Sequence, residues 1–284
     1  MKRNRFFLIL TVMMFALSPM LSATEPTARS LFNGTNLDGW NFKAGNWQND
    51  WTVGRLSLDA TGEEATATTM EALPLREAER GGVLLQRRAI RIFPRVRQAP
   101  RFWQPASVVE RGVMINAVGP DWRNATPRRG VDIYTQERFG DVTVRLEFLI
   151  LRRGNSGVYM MGEYELQIAD SFALVTTDER PLRPGDMGGI WATSAPMHNA
   201  AGAPGTWQSL EIEFVAPRFD AEGNKTANAI FKRVVLNGIL VQENVEVQGP
   251  TGGGLRNREA ATGPIMFQGD HGPVAFRNIE VIVP

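Results

Sequence analysis

Hydrophobic and polar residues alternate along much of this chain, with little sign of the wider spacing that marks a helix. Val142, Val144, Leu146, Phe148 and Ile150 fall on one face of a segment whose other face carries Thr143, Arg145 and Glu147. Side chains of an extended backbone repeat every two residues, so this pattern predicts a half-buried strand. Leu210, Ile212 and Phe214 repeat it against Glu211 and Glu213, and Val274 to Val283 ends the chain in the same way. Ile230 to Leu236 and Ile239 to Val245 flank Asn237-Gly238, a dipeptide that tolerates the positive φ angles of a two-residue hairpin turn. Trp51 to Leu58 reads as a further hairpin. With no long amphipathic helix in the pattern, the expectation is an all-β fold of two antiparallel sheets packed as a sandwich.

Stretches rich in Gly and Pro at 117–130, 181–189, 200–205 and 249–264 read as long loops inside one domain. The strands between them could not bury an apolar face alone. The expected division is a single domain over 31–284, preceded by a polar leader at 24–30, with 63–127 as a peripheral elaboration. Residues 1–23 stand apart. Lys2, Arg3 and Arg5 precede an apolar run from Phe6 to Leu17 broken only by Thr11, and small residues follow at Ser22 and Ala23. That is the form of a secretory signal peptide cleaved near Ala23, the run being short against the roughly 20 residues of a membrane span. The expectation is export to the periplasm or beyond, with no transmembrane segment in the mature chain.

Charge narrows the partners. Loss of the three basic residues of the leader takes the formal net charge from +1 to −2. A nucleic-acid binder is expected to concentrate basic charge, and one stretch does so: Arg76 to Arg111 holds nine Arg against three Glu. Export argues against a nucleic-acid partner, and Ile90, Ile92 and the aromatics that follow suggest an added strand or a rim over a groove. The chain has no Cys, which removes disulfides and Cys-based metal sites.

The densest candidate chemistry lies between Gly154 and Asp170. In the strand expected over Glu163 to Ile168, Tyr164, Leu166 and Ile168 point one way. Glu163, Glu165 and Gln167 point the other, at intervals of about 7 Å. Such a row suits a sugar-binding groove, because carboxylates accept hydroxyl hydrogen bonds and serve as acid or base when their pKa values are tuned; the solvated outer face of an ordinary strand would look the same. Asn155 and Ser156 sit between glycines and could equally be turn residues. Of two His, His198 lies in a plain loop, whereas His271 follows Asp270 in a compact polar turn, Phe267-Gln-Gly-Asp-His-Gly-Pro273. A divalent cation held by oxygen ligands is compatible with this composition, and none is required. Trp40, Trp47 and Trp51 offer either a sugar-stacking platform or a plug for one end of the sandwich. Phosphate-loop, dinucleotide, H-E-x-x-H and G-x-S-x-G motifs are all missing from the sequence.

Six ordered blocks carry a resemblance: LFNGTNLDGW (31–40), DIYTQERFGD (132–141), RRGNSGVYMMGEYELQIADS (152–171), PGTWQSLEIEF (204–214), VVLNGILVQENVE (234–246) and TGPIMFQGDHGPVAFRNIEV (262–281). Together they resemble the 3-keto-disaccharide hydrolase domain family over nearly the whole mature chain. The resemblance implies a concanavalin-like jelly-roll sandwich and a hydrolase acting on glycosides oxidised at C3. It implies Asn155, Glu165, Gln167 and His271 as site residues without assigning their roles; the expected division makes Glu165 and His271 catalytic, with Asn155, Glu163, Gln167, Gln268 and Asp270 binding substrate. A non-catalytic carbohydrate-binding domain on a lectin-like sandwich is the alternative. Residues 63–127, including the Arg-rich 87–103, depart from the resemblance by being longer than the link usual at this place. The leader reading is checked by sequencing the N terminus of the exported protein, which should begin near residue 24; a mature chain still starting at Met1 would refute it.

Overall fold

A computed structural model describes residues 27–44, 49–58, 65–69, 89–92, 109–117, 130–174, 176–177 and 180–284. The apolar leader, its expected cleavage point and Trp47 lie outside these residues. The larger of two main sheets grows from the segments whose alternation was clearest. β8 (Val142–Ile150), β11 (Gln208–Val215), β14 (Ala229–Leu236), β15 (Ile239–Val247) and β17 (Val274–Ile282) belong to it. It also takes in β1 (Arg29–Ser30), β3 (Trp51–Leu58), β4 (Ala65–Thr69), β5 (Ala89–Ile92) and β6 (Val109–Asn116). The order is β15-β14-β11-β8-β17-β6-β3-β4-β5, with β1 paired to β17 off this path. The smaller sheet contains β2 (Trp40–Phe42), β7 (Ile133–Thr135), β9 (Asn155–Met160), β10 (Tyr164–Ala169) and β16 (Met266–Phe267), in the order β10-β9-β16-β7-β2. A short ribbon joins β12 (Arg218–Phe219) and β13 (Lys225–Ala227). Among the described residues every strand pairing is antiparallel, and the fold is the all-β sandwich of two antiparallel sheets that the alternation predicted.

The alternation explains the packing. Val144, Phe148, Ile212, Phe214, Phe276 and Val281 of the large sheet are buried against Ile133, Val158, Tyr164, Leu166 and Phe267 of the small one. Two aromatic chains cross between the sheets. Trp40 lies against Phe267, which stacks on Phe276 at 4.1 Å between centroids, and Phe276 in turn lies against Trp51. Tyr164, Phe214 and Phe231 form the second. Trp40 and Trp51 are therefore core plugs rather than an exposed platform. On the outer face Arg145 and Arg233 both pair with Glu211, and Arg277 pairs with Glu147. That face is not polar throughout, because Leu56, Val113, Ile115, Leu149 and Ala275 form a second apolar cluster on it.

Three expectations need revising. Trp51–Leu58 is one continuous strand between β4 and β6, not a hairpin; the chain passes its Gly54 with a register shift against β6 instead of turning. Of 63–127, Ala89–Ile92 does supply an added strand at the sheet edge, but Val109–Asn116 is internal, between β3 and β17, with Met114 and Ile115 fully buried. Of the polar leader, Arg29 and Ser30 pair with Val281 and Glu280. The Asn237-Gly238 turn forms as expected, with φ values of 51° and 79°. Among the described residues no helix is long and apolar enough to cross a membrane. Phe276 links the two sheets, so Phe276→Ala should cost about 3–5 kcal/mol, measured by denaturant unfolding; a loss under about 1 kcal/mol would contradict this packing.

Candidate functional site

Glu165 and Gln167 of β10, with Glu163 in the turn just before it, do not form a solvated outer face. Glu163, Glu165 and Gln167 are each only 4% exposed. Tyr164, Leu166 and Ile168 enter the core between the sheets, so the acids and the amide lie on the side of the small sheet facing away from it. β9 supplies the neighbouring row, because Glu165 is paired with Tyr159 and Gln167 with Gly157. The Tyr159 hydroxyl donates to the Glu165 carboxylate. Gly157 explains the glycine after Asn155 and Ser156: a Cβ there would collide with Oε1 of Glu165. The carboxylate thus lies on bare backbone, packed where water would otherwise solvate it. Asn155 and Ser156 are strand residues. Asn155 accepts from Gln167 Nε2 at 2.6 Å, and the Ser156 hydroxyl donates to the Gln268 carbonyl at 2.8 Å.

That last bond is one of several fixing the turn before β17. Asn116 Nδ2 donates to the carbonyls of Gly269 and Gly272 at 2.7 and 2.9 Å. Gly269 N–H donates to Asp132 Oδ1 at 2.9 Å, and Gln268 N–H to the Gly157 carbonyl at 3.0 Å. No side chain fits at Gly269, where a Cβ would run into the Val131 carbonyl. His271 therefore stands on an anchored turn, with Nδ1 bonded to Asp270 Oδ1 and its ring partly open to solvent. His271 and Glu165 feel each other's charge, as do Asp132 and Asp270.

Electrostatics set this cluster apart from an ordinary polar patch. Burial pushes Glu165 from the usual carboxylate range up to about 7, against the opposing effects of the Tyr159 hydrogen bond and the His271 charge. The hydrogen bond that Nδ1–H donates to Asp270 raises His271, with the charges of Asp270, Glu165 and Asp132 adding to it and burial opposing it. Burial also raises Asp132, although Lys43 Nζ donates to its Oδ2 at 3.0 Å. The Tyr159 hydroxyl is held protonated by burial and by the Glu165 charge.

The five residues expected at a binding site beside Glu165 and His271 do not all converge. Asn155 and Gln167 bond each other, and Asp270 orients His271. Gln268 is buried, with its amide nitrogen 3.4 Å from the Tyr159 hydroxyl. Glu163 turns instead to the 254–258 loop, where its Oε1 accepts from the Arg256 N–H at 2.9 Å. His198 is exposed in its loop. Sequence reasoning missed Tyr159, Asp132 and Lys43. Tyr159 could have been found from strand parity once β9 and β10 were paired, whereas Lys43 and Asp132 meet only through the fold. The Gly252-Gly-Gly254 loop lies over this side: Lys43 Nζ donates to the Gly253 carbonyl at 2.8 Å, and a Cβ at Gly253 would sit 2.7 Å from the Tyr159 hydroxyl. Among the described residues no group of three His, Asp or Glu side chains is arranged to hold a metal.

Fold and site define a β-sandwich protein with a carboxylate–imidazole cluster, able to give and take protons near neutral pH, on the outward side of its smaller sheet. The chain belongs to the 3-keto-alpha-glucoside-1,2-lyase-like domain family, whose profile matches residues 27–282. Two solved structures from Parabacteroides distasonis, each described as a putative glycosyl hydrolase, are similar to it. One is 28% identical over 62% of this chain and 74% of its own, with a TM-score of 0.48. The other is 16% identical over 90% and 94%, also with a TM-score of 0.48. Comparison with curated protein sequences gives no significant match.

The raised pKa has a stability consequence. Between about pH 4.5 and 7 the folded protein keeps a proton on Glu165 that the unfolded chain has lost, so stability falls as pH rises through this window. The penalty above it is about 3 kcal/mol. Glu165→Gln should therefore melt at or above wild type at pH 8, with the advantage shrinking towards pH 4. A variant markedly less stable than wild type at pH 8 would contradict the burial argument.

Proposed function

We propose that the protein cleaves 3-keto-glycosides by elimination followed by hydration, and that it does so outside the cytoplasm. A ketone at C3 acidifies the C2 proton. Its removal gives an enolate, which expels the C1 substituent to leave an enone; water adding at C1 then completes a hydrolysis. The route needs a base at C2, an acid at the glycosidic oxygen and hydrogen-bond donors near the enolate oxygen. His271 is assigned as the base, with Asp270 fixing its ring and increasing its basicity. Glu165, protonated in part near pH 7, is assigned as the acid. Tyr159, which donates to Glu165, and Lys43, which reaches Asp132, are assigned as the donors. Family membership supports the substrate class and the basic leader supports the compartment.

The single observation that carries the reading is the buried Glu165 carboxyl, raised to about 7 beside a His whose pKa is also raised. Each group feels the other's charge, so the apparent pKa values belong to the pair. A carbohydrate-binding domain without catalysis would need no such pair; sugar hydroxyls are bound as well by ordinary carboxylates and amides.

Two results are expected. His271→Ala and Glu165→Gln should each slow turnover of a 3-keto-glycoside by about 100-fold or more with folding intact by circular dichroism. The wild-type kcat/KM profile should be bell-shaped with its maximum near neutral pH, one limb being lost in Glu165→Gln. Near-wild-type turnover in either folded variant, or a flat profile from pH 5 to 9, would remove the pair from the mechanism.

A further inference from the structure

β10 is the last strand of the small sheet, yet its free edge is covered. Gly188 N–H donates to the Gln167 carbonyl at 2.9 Å, Gln167 N–H to the Gly189 carbonyl at 2.8 Å, and Trp191 N–H to the Glu165 carbonyl at 3.0 Å. These bonds bracket an antiparallel bridge between Leu166 and Ile190. Ile190 is fully buried with Leu166 in the core. The next residue, Trp191, is set against Glu165, and strand parity sends its side chain to the outward side that Glu165 occupies. Residues directly opposite in such a pair have Cβ atoms about 4.5–5.5 Å apart. The outward row across the sheet edge thus reads Trp191, Glu165, Tyr159.

Trp191 is 44% exposed, and the segment presenting it is firmly built. Arg180 pairs with Asp186, whose Oδ2 accepts from the Arg183 N–H at 2.8 Å. Gly189 N–H donates to the Asp186 carbonyl, and the N–H groups of Thr193 and Ser194 both reach the Ile190 carbonyl. The indole lies against Gly185, where a Cβ would be only 3.0 Å from Cζ3. A bare backbone on one side thus supports a rigid ring whose remaining surface stays open. A solitary exposed aromatic is unremarkable; this one stands out because it continues the row that holds the proposed acid.

The geometry points to Trp191 as the platform for the sugar ring that departs. The inference rests on Glu165 acting at the glycosidic oxygen. With the C3-oxidised ring placed over His271, the C1 substituent extends past Glu165 and onto the indole. The C–H face of a pyranose is apolar and its hydrogens carry partial positive charge, which suits an aromatic face. Within the family's substrate class, the indole would favour a leaving group that is itself a pyranose over a simple alkyl group. Trp191 acts here as a specificity residue and transfers no proton.

The test compares wild type, Trp191→Ala and Trp191→Phe on a 3-keto-disaccharide and on a methyl 3-keto-glycoside. Trp191→Ala should lose about 10-fold or more in kcat/KM on the disaccharide, mainly through KM, and less than about 2-fold on the methyl glycoside, with Trp191→Phe recovering most of the loss. These sizes are those of one stacking contact. Equal losses on both substrates, or none on the disaccharide, would overturn the platform. Should wild type turn over neither substrate, the elimination reading fails by itself. Calorimetric binding of the unoxidised disaccharide then decides the platform: about 10-fold weaker binding by Trp191→Ala supports it, whereas an unchanged Kd, or no binding by wild type, overturns it.

Discussion

The antiparallel pairing of β17 with β8 on one side and β6 on the other is the constraint on which the rest of this molecule depends. It joins the two halves of the large sheet and presents Phe276, Ile279 and Val281 to the core. Phe276 stacks on Phe267 of the opposing sheet, so the contact holding β17 in place also holds the sheets together. β17 begins where the anchored turn ends. The hydrogen bonds from Asn116 and Ser156 that fix the turn come from β6 and β9, one strand from each sheet. The imidazole of His271 is therefore oriented by the same packing that stabilises the sandwich.

The opposite half of the site relies on exclusion. Glu165 can lie flat because Gly157 offers no side chain, and the Gly253 loop comes down over Tyr159 for the same reason. Close packing removes water from the carboxylate, and the loss of solvation raises its pKa more than the Tyr159 hydrogen bond lowers it. Three glycines, at 157, 253 and 269, thus do chemical service by permitting contacts that any side chain would block. The cost is a site less stable than it could be, a common feature of groups held ready to react.

Much of the fold was legible in the residues. Val142–Ile150 forms with the bounds its alternation marked, and Asn237-Gly238 makes its turn because Asn and Gly accept positive φ. The signal was strong wherever one face was buried and the other solvated. It failed at Trp51–Leu58 and Val109–Asn116, which bury residues on both faces of the sheet and so lose the two-residue contrast. The same loss of contrast made the row on β10 ambiguous, since a buried polar face and a solvated one are written with the same residue types.

Local pattern was enough for the class of fold, for its most regular strands, and for the family to which six blocks point; each depends on periodicity or on residues adjacent in the chain. The tertiary structure decided which polar residues meet. Glu165 and His271 are brought within reach of each other's charge across more than a hundred residues, Lys43, just after β2, reaches Asp132, just before β7, and Glu163 is drawn away to a loop that its two-residue spacing from Glu165 gave no hint of. Whether a carboxyl group keeps its proton near neutral pH depends on what surrounds it in three dimensions. Burial and long-range contact are properties of the packed sandwich, and no local pattern encodes them.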